Sequence, residues 1–186
     1  MMSVPPRFPP CDDDPAERGE HLEIANHGRL RIRPLRRSED DAIREFYARL
    51  TPQTRYLRFF SPMPALPESV LRALSDVDST GRFALVAEDD SANGAFVGLA
   101  SFGAIDNERA EVALVVRDDW QRRHLGTELA ERVLQAAECR GYHRFVAHVS
   151  MDNVGIRRLL RHVGELVASR VEGGGVSELE FVRRRH

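Results

Sequence analysis

Between residues 110 and 149 the apolar pattern changes period twice, and this constrains the fold more than any other feature of the chain. Ala110 to Val116 is a short apolar run that reads as a strand. Leu125, Leu129, Ala130, Val133, Leu134 and Ala137 then form a stripe over four helical turns, with Glu128, Glu131, Arg132, Gln135 and Glu138 opposite. Gly141 stands where a left-handed cap closes a helix, and Arg144 to Val149 is strand-like again. A strand, a long helix and a second strand in this order predict a parallel pair joined by a right-handed crossover.

The flanking segments predict an otherwise antiparallel arrangement. Leu30, Ile32 and Leu35 alternate with Arg31 and Arg33 in a first strand. Ser38, three residues before Asp41, suggests an acidic capping box for a helix bearing Ile43, Phe46, Tyr47 and Leu50. Thr51-Pro52 opens a short helix, and Pro67 begins a third with Val70, Leu71 and Leu74 inward. Phe83–Glu88 and Ala95–Phe102 read as a hairpin around a turn-rich segment. After the long helix and its strand, Asn153 caps a helix bearing Ile156, Leu159, Leu160 and Val163, which Gly164 ends. Leu166–Val171 and Val176–Val182 flank Glu172 and three glycines as a second hairpin. The expected fold is α/β, a mostly antiparallel mixed central sheet with helices on both faces.

Residues 1–28 carry prolines and the acidic run Asp12–Asp14 without an apolar stretch, a composition expected of a disordered tail; residues 29–186 are expected to form one domain. No run approaches the roughly 20 apolar residues of a membrane helix, so no membrane partner is expected and the cytoplasm is the default address. The net charge of −2 gives no global reason to expect nucleic acid, although Arg157, Arg158, Arg161 and the terminal arginines could carry such binding; the run at 183–185 reads most simply as a solvated end. Cys11 and Cys139 suggest neither a disulfide framework nor a zinc site. His143, His148 and His162 show no metal spacing, and no metal is expected.

The stretch from Glu111 to Thr127 carries the chemistry. A strand runs through a turn into Gln121-Arg122-Arg123-His124-Leu125-Gly126-Thr127 and a helix. A helix start offers unpaired N–H groups and the positive end of the macrodipole, which attract phosphate. Gly126 lets a ligand approach the backbone, and Arg122 and Arg123 can add charge-assisted contacts. Many helices begin this way and bind nothing, so the residues alone leave both readings open.

This loop resembles the Gln/Arg-x-x-Gly-x-Gly/Ala signature of the GNAT N-acetyltransferase superfamily, and the order of elements from Leu30 to Val182 agrees with that family. Residues 50–62 look most like the acetyltransferase domain of bacterial protein lysine acetylases. The resemblance implies acetyl-CoA as cosubstrate, its pyrophosphate on residues 121–127 and its pantetheine arm along Leu114, Val115 and Val116, with an N–H near Val115 facing the thioester carbonyl. Asn153 would hydrogen-bond the arm, or serve as a plain helix cap, or both. Two departures stand out. His124 occupies the first signature glycine, a position that strains any side chain if φ is positive. Leu160 stands where many members place a tyrosine acid seven residues after the Asn.

Glu111 is the candidate general base, its alternative being a solvated charge at a strand end. An alkylamine with a pKa of about 10.4 is mostly protonated at neutral pH and must lose a proton to become nucleophilic. The implied acceptor is an amine, either a protein lysine or a small molecule, handled by a monomer or homodimer. Arg55, Tyr56 and Arg58 are expected beside the acceptor groove, or simply as the outer face of a packed helix. A rival expectation is a non-catalytic acyl-CoA-binding sensor or docking module, which His124 and Leu160 would favour.

Overall fold

A computed structural model describes residues 19–24, 28–77 and 81–184. The strands are β1 (Glu20–Ile24), β2 (Gly28–Pro34), β3 (Arg82–Asp89), β4 (Ala95–Ala104), β5 (Arg109–Val116), β6 (Arg144–Ser150), β7 (Gly164–Val171) and β8 (Val176–Arg183). The helices are α1 (Asp40–Ala48), α2 (Pro52–Phe59), α3 (Glu68–Ser75), α4 (Leu125–Cys139) and α5 (Val154–Val163). One eight-stranded sheet runs in the order β1-β2-β3-β4-β5-β6-β8-β7. Its neighbours are antiparallel except β5 and β6, the parallel pair that the double change of period implied.

The sheet separates two cores because each strand alternates its side chains between faces. On one face Val86, Leu99 and Val115 meet Ile43, Phe46 and Tyr47 of α1 and Leu71 of α3. On the other, Leu85, Val97 and Val116 meet Leu125, Leu129 and Val133 of α4. Helices thus cover both faces as expected. Among the described residues no helix is long and apolar enough to cross a membrane.

Several local expectations are met for the reasons given. Thr51 Oγ1 accepts from Thr54 N at 3.2 Å, with Pro52 at the first helical position of α2. Gly141 has φ +86° just beyond α4. Others need correction. Residues 20–24, assigned to the tail, form β1: Leu22 and Ile24 pack against the α4 core, and Glu20 meets Arg132 at 3.0 Å. Gly28, also assigned to the tail, opens β2, and residues 1–18 and 25–27 lie outside the described residues. Ser38 does not cap α1, which begins after Glu39 without a side-chain cap. Cys139, where no disulfide was expected, is disulfide-bonded. Arg183 is not a solvated end but reaches Glu138 of α4 at 2.9 Å.

The largest departure is Arg33. Its place in the alternation suggests a solvated side chain, yet only 6% of it is exposed. Burial of a lone guanidinium would be costly, and two carboxylates offset it. Arg33 Nε donates to Glu88 Oε1 and Nη1 to Glu39 Oε2, both at 2.9 Å, while Nη1 also donates to the carbonyl of Pro34 at 2.9 Å. Burial pushes the guanidinium pKa down, but the two carboxylates outweigh that and hold it above its usual value. Burial likewise raises Glu39, and its bonds from Arg33 and Arg36 N bring it below the usual range. Glu39 is thereby kept from capping α1 and instead joins the start of that helix to the sheet.

Breaking this triad should strand a buried charge. Arg33→Ala is expected to destabilise the fold by about 3 kcal/mol in urea unfolding. Because the folded pKa of Glu39 is depressed, its contribution is present above the ordinary carboxylate pKa of about 4.3 and is lost as pH falls through the folded value. The gap between wild type and Arg33→Ala should therefore narrow on acidification, and a pH-independent gap would contradict the assignment.

Candidate functional site

β5 pairs with β6 over only Arg109↔Arg144, Ala110↔Phe145 and Glu111↔Val146, and then the strands part. β5 stays paired with β4 as far as Gly98↔Val116, and β6 with β8 as far as Ser150↔Val176. The separation therefore opens a cleft in the middle of the sheet, about 780 Å³ in volume, lined by β5, α2, the loop before α4, α5 and β6.

Hydrogen-bond parity shows which main-chain groups face it. Arg117 N donates to Val97 O and Ile105 N to Arg109 O, each at 2.9 Å. In an unbroken antiparallel register the odd-numbered residues of β5 thus address β4, and the even-numbered ones address the opposite edge. The carbonyl of Val116 accepts from Gln121 Nε2 at 3.0 Å, as this parity requires. Leu114 N–H and C=O and Val116 N–H face the cleft beyond the last β6 rung. Val115, expected to offer its N–H here, instead turns its main chain toward Leu99 and buries its side chain among α1 and α3. The free amide shifts by one residue, to Leu114.

The loop before α4 is held by groups that lie far apart in sequence. Asp118 accepts from Thr51 N (3.0 Å), Thr51 Oγ1 (2.7 Å) and Thr54 Oγ1 (2.6 Å), joining the turn after β5 to the start of α2. Burial raises the Asp118 pKa, and these bonds outweigh it and hold the carboxyl below its usual range. Gln121 Nε2 also donates to Thr54 Oγ1 at 3.2 Å, so this side chain anchors the loop as well as lining the cleft. Arg117 clamps Asp119 through two bonds of 2.6 and 2.8 Å.

Within the loop Arg122 (φ +59°) and His124 (φ +64°) are both left-handed. The position of the family's first glycine does need positive φ, and histidine occupies it with an exposed side chain at the cleft mouth. The next residues open α4. Glu128 N bonds His124 O at 3.1 Å, which leaves the N–H groups of Leu125, Gly126 and Thr127 without helical partners. Leu125 can offer only its main chain, because its side chain is fully buried in the core. Arg123 turns away and lies 5.2 Å over the ring of Trp120, whereas Arg122 and Thr127 line the cleft. A Cβ on Gly126 would lie 3.1 Å from Leu159 Cδ1 and 3.7 Å from Leu114 Cδ2, so the glycine keeps the passage between β5 and α5 open.

On the far side, Asn153 Oδ1 accepts from Ile156 N at 3.1 Å. The cap is formed, and Asn153 also lines the cleft. Leu160 lines the same wall, so an apolar surface stands where many members of the resembled family place an acid. Arg55 is committed to the carbonyls of Pro64 and Ala48, while Arg58 enters the cleft. Burial pushes the Arg58 pKa down, opposed by the charge of Glu111.

Glu111 occupies the last paired rung, at the mouth where the strands part. Its Oε1 lies 3.4 Å from His148 Nδ1. His148 Nε2 lies 3.7 Å from both Glu172 and Glu178, and donor atoms of these last three residues all fall within 4.8 Å of one another. Sequence spacing gave no sign of this cluster, because it gathers residues from three separate segments.

Comparison with known proteins bears on the family and the fold. Residues 29–165 match the family model described as an acetyltransferase (GNAT) domain. The chain is 31% identical over 155 residues to acetyltransferase PA5475 of Pseudomonas aeruginosa, covering 80% of this chain and 82% of that protein. The GNAT domain of S. lividans PAT superposes with a TM-score of 0.79 at 25% identity, covering 88% of this chain and 96% of that one. The yncA structure of Salmonella typhimurium, solved with its cofactor acetyl-CoA, gives 0.64 at 22% identity over 84% and 93% of the two chains.

The cleft geometry predicts how Gly126 tolerates change. Gly126→Val should weaken acetyl-CoA binding at least tenfold by calorimetry, because its branches would push into Leu159 and Leu114. A circular dichroism spectrum unchanged from wild type would show that the loss is local.

Proposed function

The chain is a member of the GNAT acetyltransferase family, and from that premise we propose that it moves the acetyl group of acetyl-CoA to a primary amine with Glu111 as general base. The observation that carries this reading is the early end of β5–β6 pairing at Glu111. It places a carboxylate at the mouth of a cleft whose wall offers the unpaired main chain of Leu114.

The residues present suit the cosubstrate. The N–H groups of Leu125, Gly126 and Thr127, which precede the first helical bond of α4, with Arg122 beside them, suit a diphosphate at the positive end of that helix. Leu114 C=O and Val116 N–H can bond an extended amide-bearing arm as a missing strand would, and Asn153 faces it from α5. Leu114 N–H, which faces the cleft, would polarise the thioester carbonyl and stabilise the oxyanion formed on it.

Glu111 then removes a proton from the incoming ammonium, directly or through one water. The neutral amine attacks the carbonyl carbon, the new C–N bond forms, and the C–S bond breaks. The departing thiolate takes the second amine proton, so the products are the amide and the free thiol. Leu160 supplies no acid, and none is essential because a thiol pKa of about 8.5 makes thiolate a tolerable leaving group. Among acceptors a protein lysine is favoured, supported by the resemblance of residues 50–62 to protein lysine acetylases and by the likeness to the S. lividans PAT domain. A small-molecule amine is the alternative.

Glu111→Gln should reduce kcat for an alkylamine acceptor by roughly 100-fold or more, with acetyl-CoA affinity unchanged by calorimetry. Unchanged turnover at saturating substrates would remove Glu111 from this role. A screen of lysine peptides against small amines with labelled acetyl-CoA decides the acceptor class.

A further inference from the structure

We propose that His148 is a positioning residue for Glu111 that takes the abstracted proton onward, away from the cleft and toward Glu172 and Glu178. This extends the reading of Glu111 as general base and rests on it. The geometry is that of a bridge. His148 presents one ring nitrogen to Glu111 at 3.4 Å and the other to two carboxylates at 3.7 Å.

The fold brings these groups together by register. Glu111 pairs with Val146, and His148 lies two residues further along β6, so its side chain stands on the same face. Glu178 is the partner of His148 across the antiparallel β6–β8 pair, and Glu172 precedes the glycine turn that returns the chain into β8. The ring is part-buried, with 29% of its side chain exposed, which limits its rotation while leaving one edge to water. The other charges nearby are Arg58 of α2, which acts on Glu111, Arg170 of β7 opposite Glu178, and Arg109 of β5, which acts on Glu178.

A base at a cleft mouth faces a problem of access. Glu111 meets water freely when the acceptor is absent, but an acceptor placed for attack covers it. The abstracted proton is then held on the carboxyl between the reactants, where its return to the amine reverses the activation. His148 Nδ1 offers a second acceptor on the side away from the amine. Transfer to it gives an imidazolium held among Glu111, Glu172 and Glu178, and water takes the proton once the product leaves. The balance over one cycle is one proton to the thiolate, one to the solvent through His148, and no net change in the histidine.

The test compares His148→Gln, Glu172→Gln/Glu178→Gln and Glu111→Gln on a lysine peptide and on the same peptide carrying the less basic thialysine. His148→Gln is expected to lower kcat on the lysine peptide roughly tenfold, with KM for peptide and acetyl-CoA nearly unchanged. The loss should be smaller on thialysine, whose amine surrenders its proton more readily, and added imidazole should restore part of it. The double glutamine variant should show a weaker form of the same pattern, and provides the test if His148→Gln fails to fold. Full kcat in His148→Gln with a large loss in Glu111→Gln overturns the relay and leaves the base assignment intact. A loss expressed only in KM, or one that imidazole does not relieve, also overturns it. Full activity in Glu111→Gln overturns the base assignment itself, and the relay with it.

Discussion

The structure turns on a hydrogen-bond ladder that stops early. β5 and β6 begin as an ordinary parallel pair and part after three rungs, although both strands continue and both keep their other neighbours. Backbone polar groups that lose a partner inside a fold must find another. Val116 C=O finds the side chain of Gln121. Leu114 remains turned toward the opening, and this unfinished edge is what an extended ligand can complete.

The surrounding elements keep the opening from collapsing. Asp118 draws the start of α2 onto the turn after β5, and Gln121 fastens the loop to both. Gly126 holds the first turn of α4 clear of Leu159. On the other face of the sheet, the buried triad of Arg33, Glu39 and Glu88 ties the beginning of α1 to β2 and β3. Backbone donors, an anchored loop and a rigid floor thus meet at one place, and the carboxylate of Glu111 stands at its edge. His124 fits this scheme as a strained residue kept in place by its neighbours on both sides.

Much of this was legible in the sequence because it depends on local chemistry. The caps at Thr51 and Asn153 and the left-handed close at Gly141 follow from side-chain type and backbone sterics within a few residues. The stripe on α4 and the apolar run of β5 follow from period. The loop signature likewise located the helix start. What escaped was non-local. Residues 20–24 became a strand because β2 offered an edge and α4 an apolar surface, not because their composition demanded it.

The sequence by itself determined the order of the elements from β2 onward, the parallel unit, the helix start after the loop and the single carboxylate on β5, since each is encoded within one or two turns or strands of the chain. Only the tertiary structure decided that Leu114 rather than Val115 presents its amide, because parity depends on the register with β4. It also decided that Arg33 is buried and that His148 stands between Glu111 and two carboxylates from β8 and its approach. Those facts depend on which strands lie side by side, and side-by-side pairing is settled by the free energy of the whole sheet rather than by any one segment.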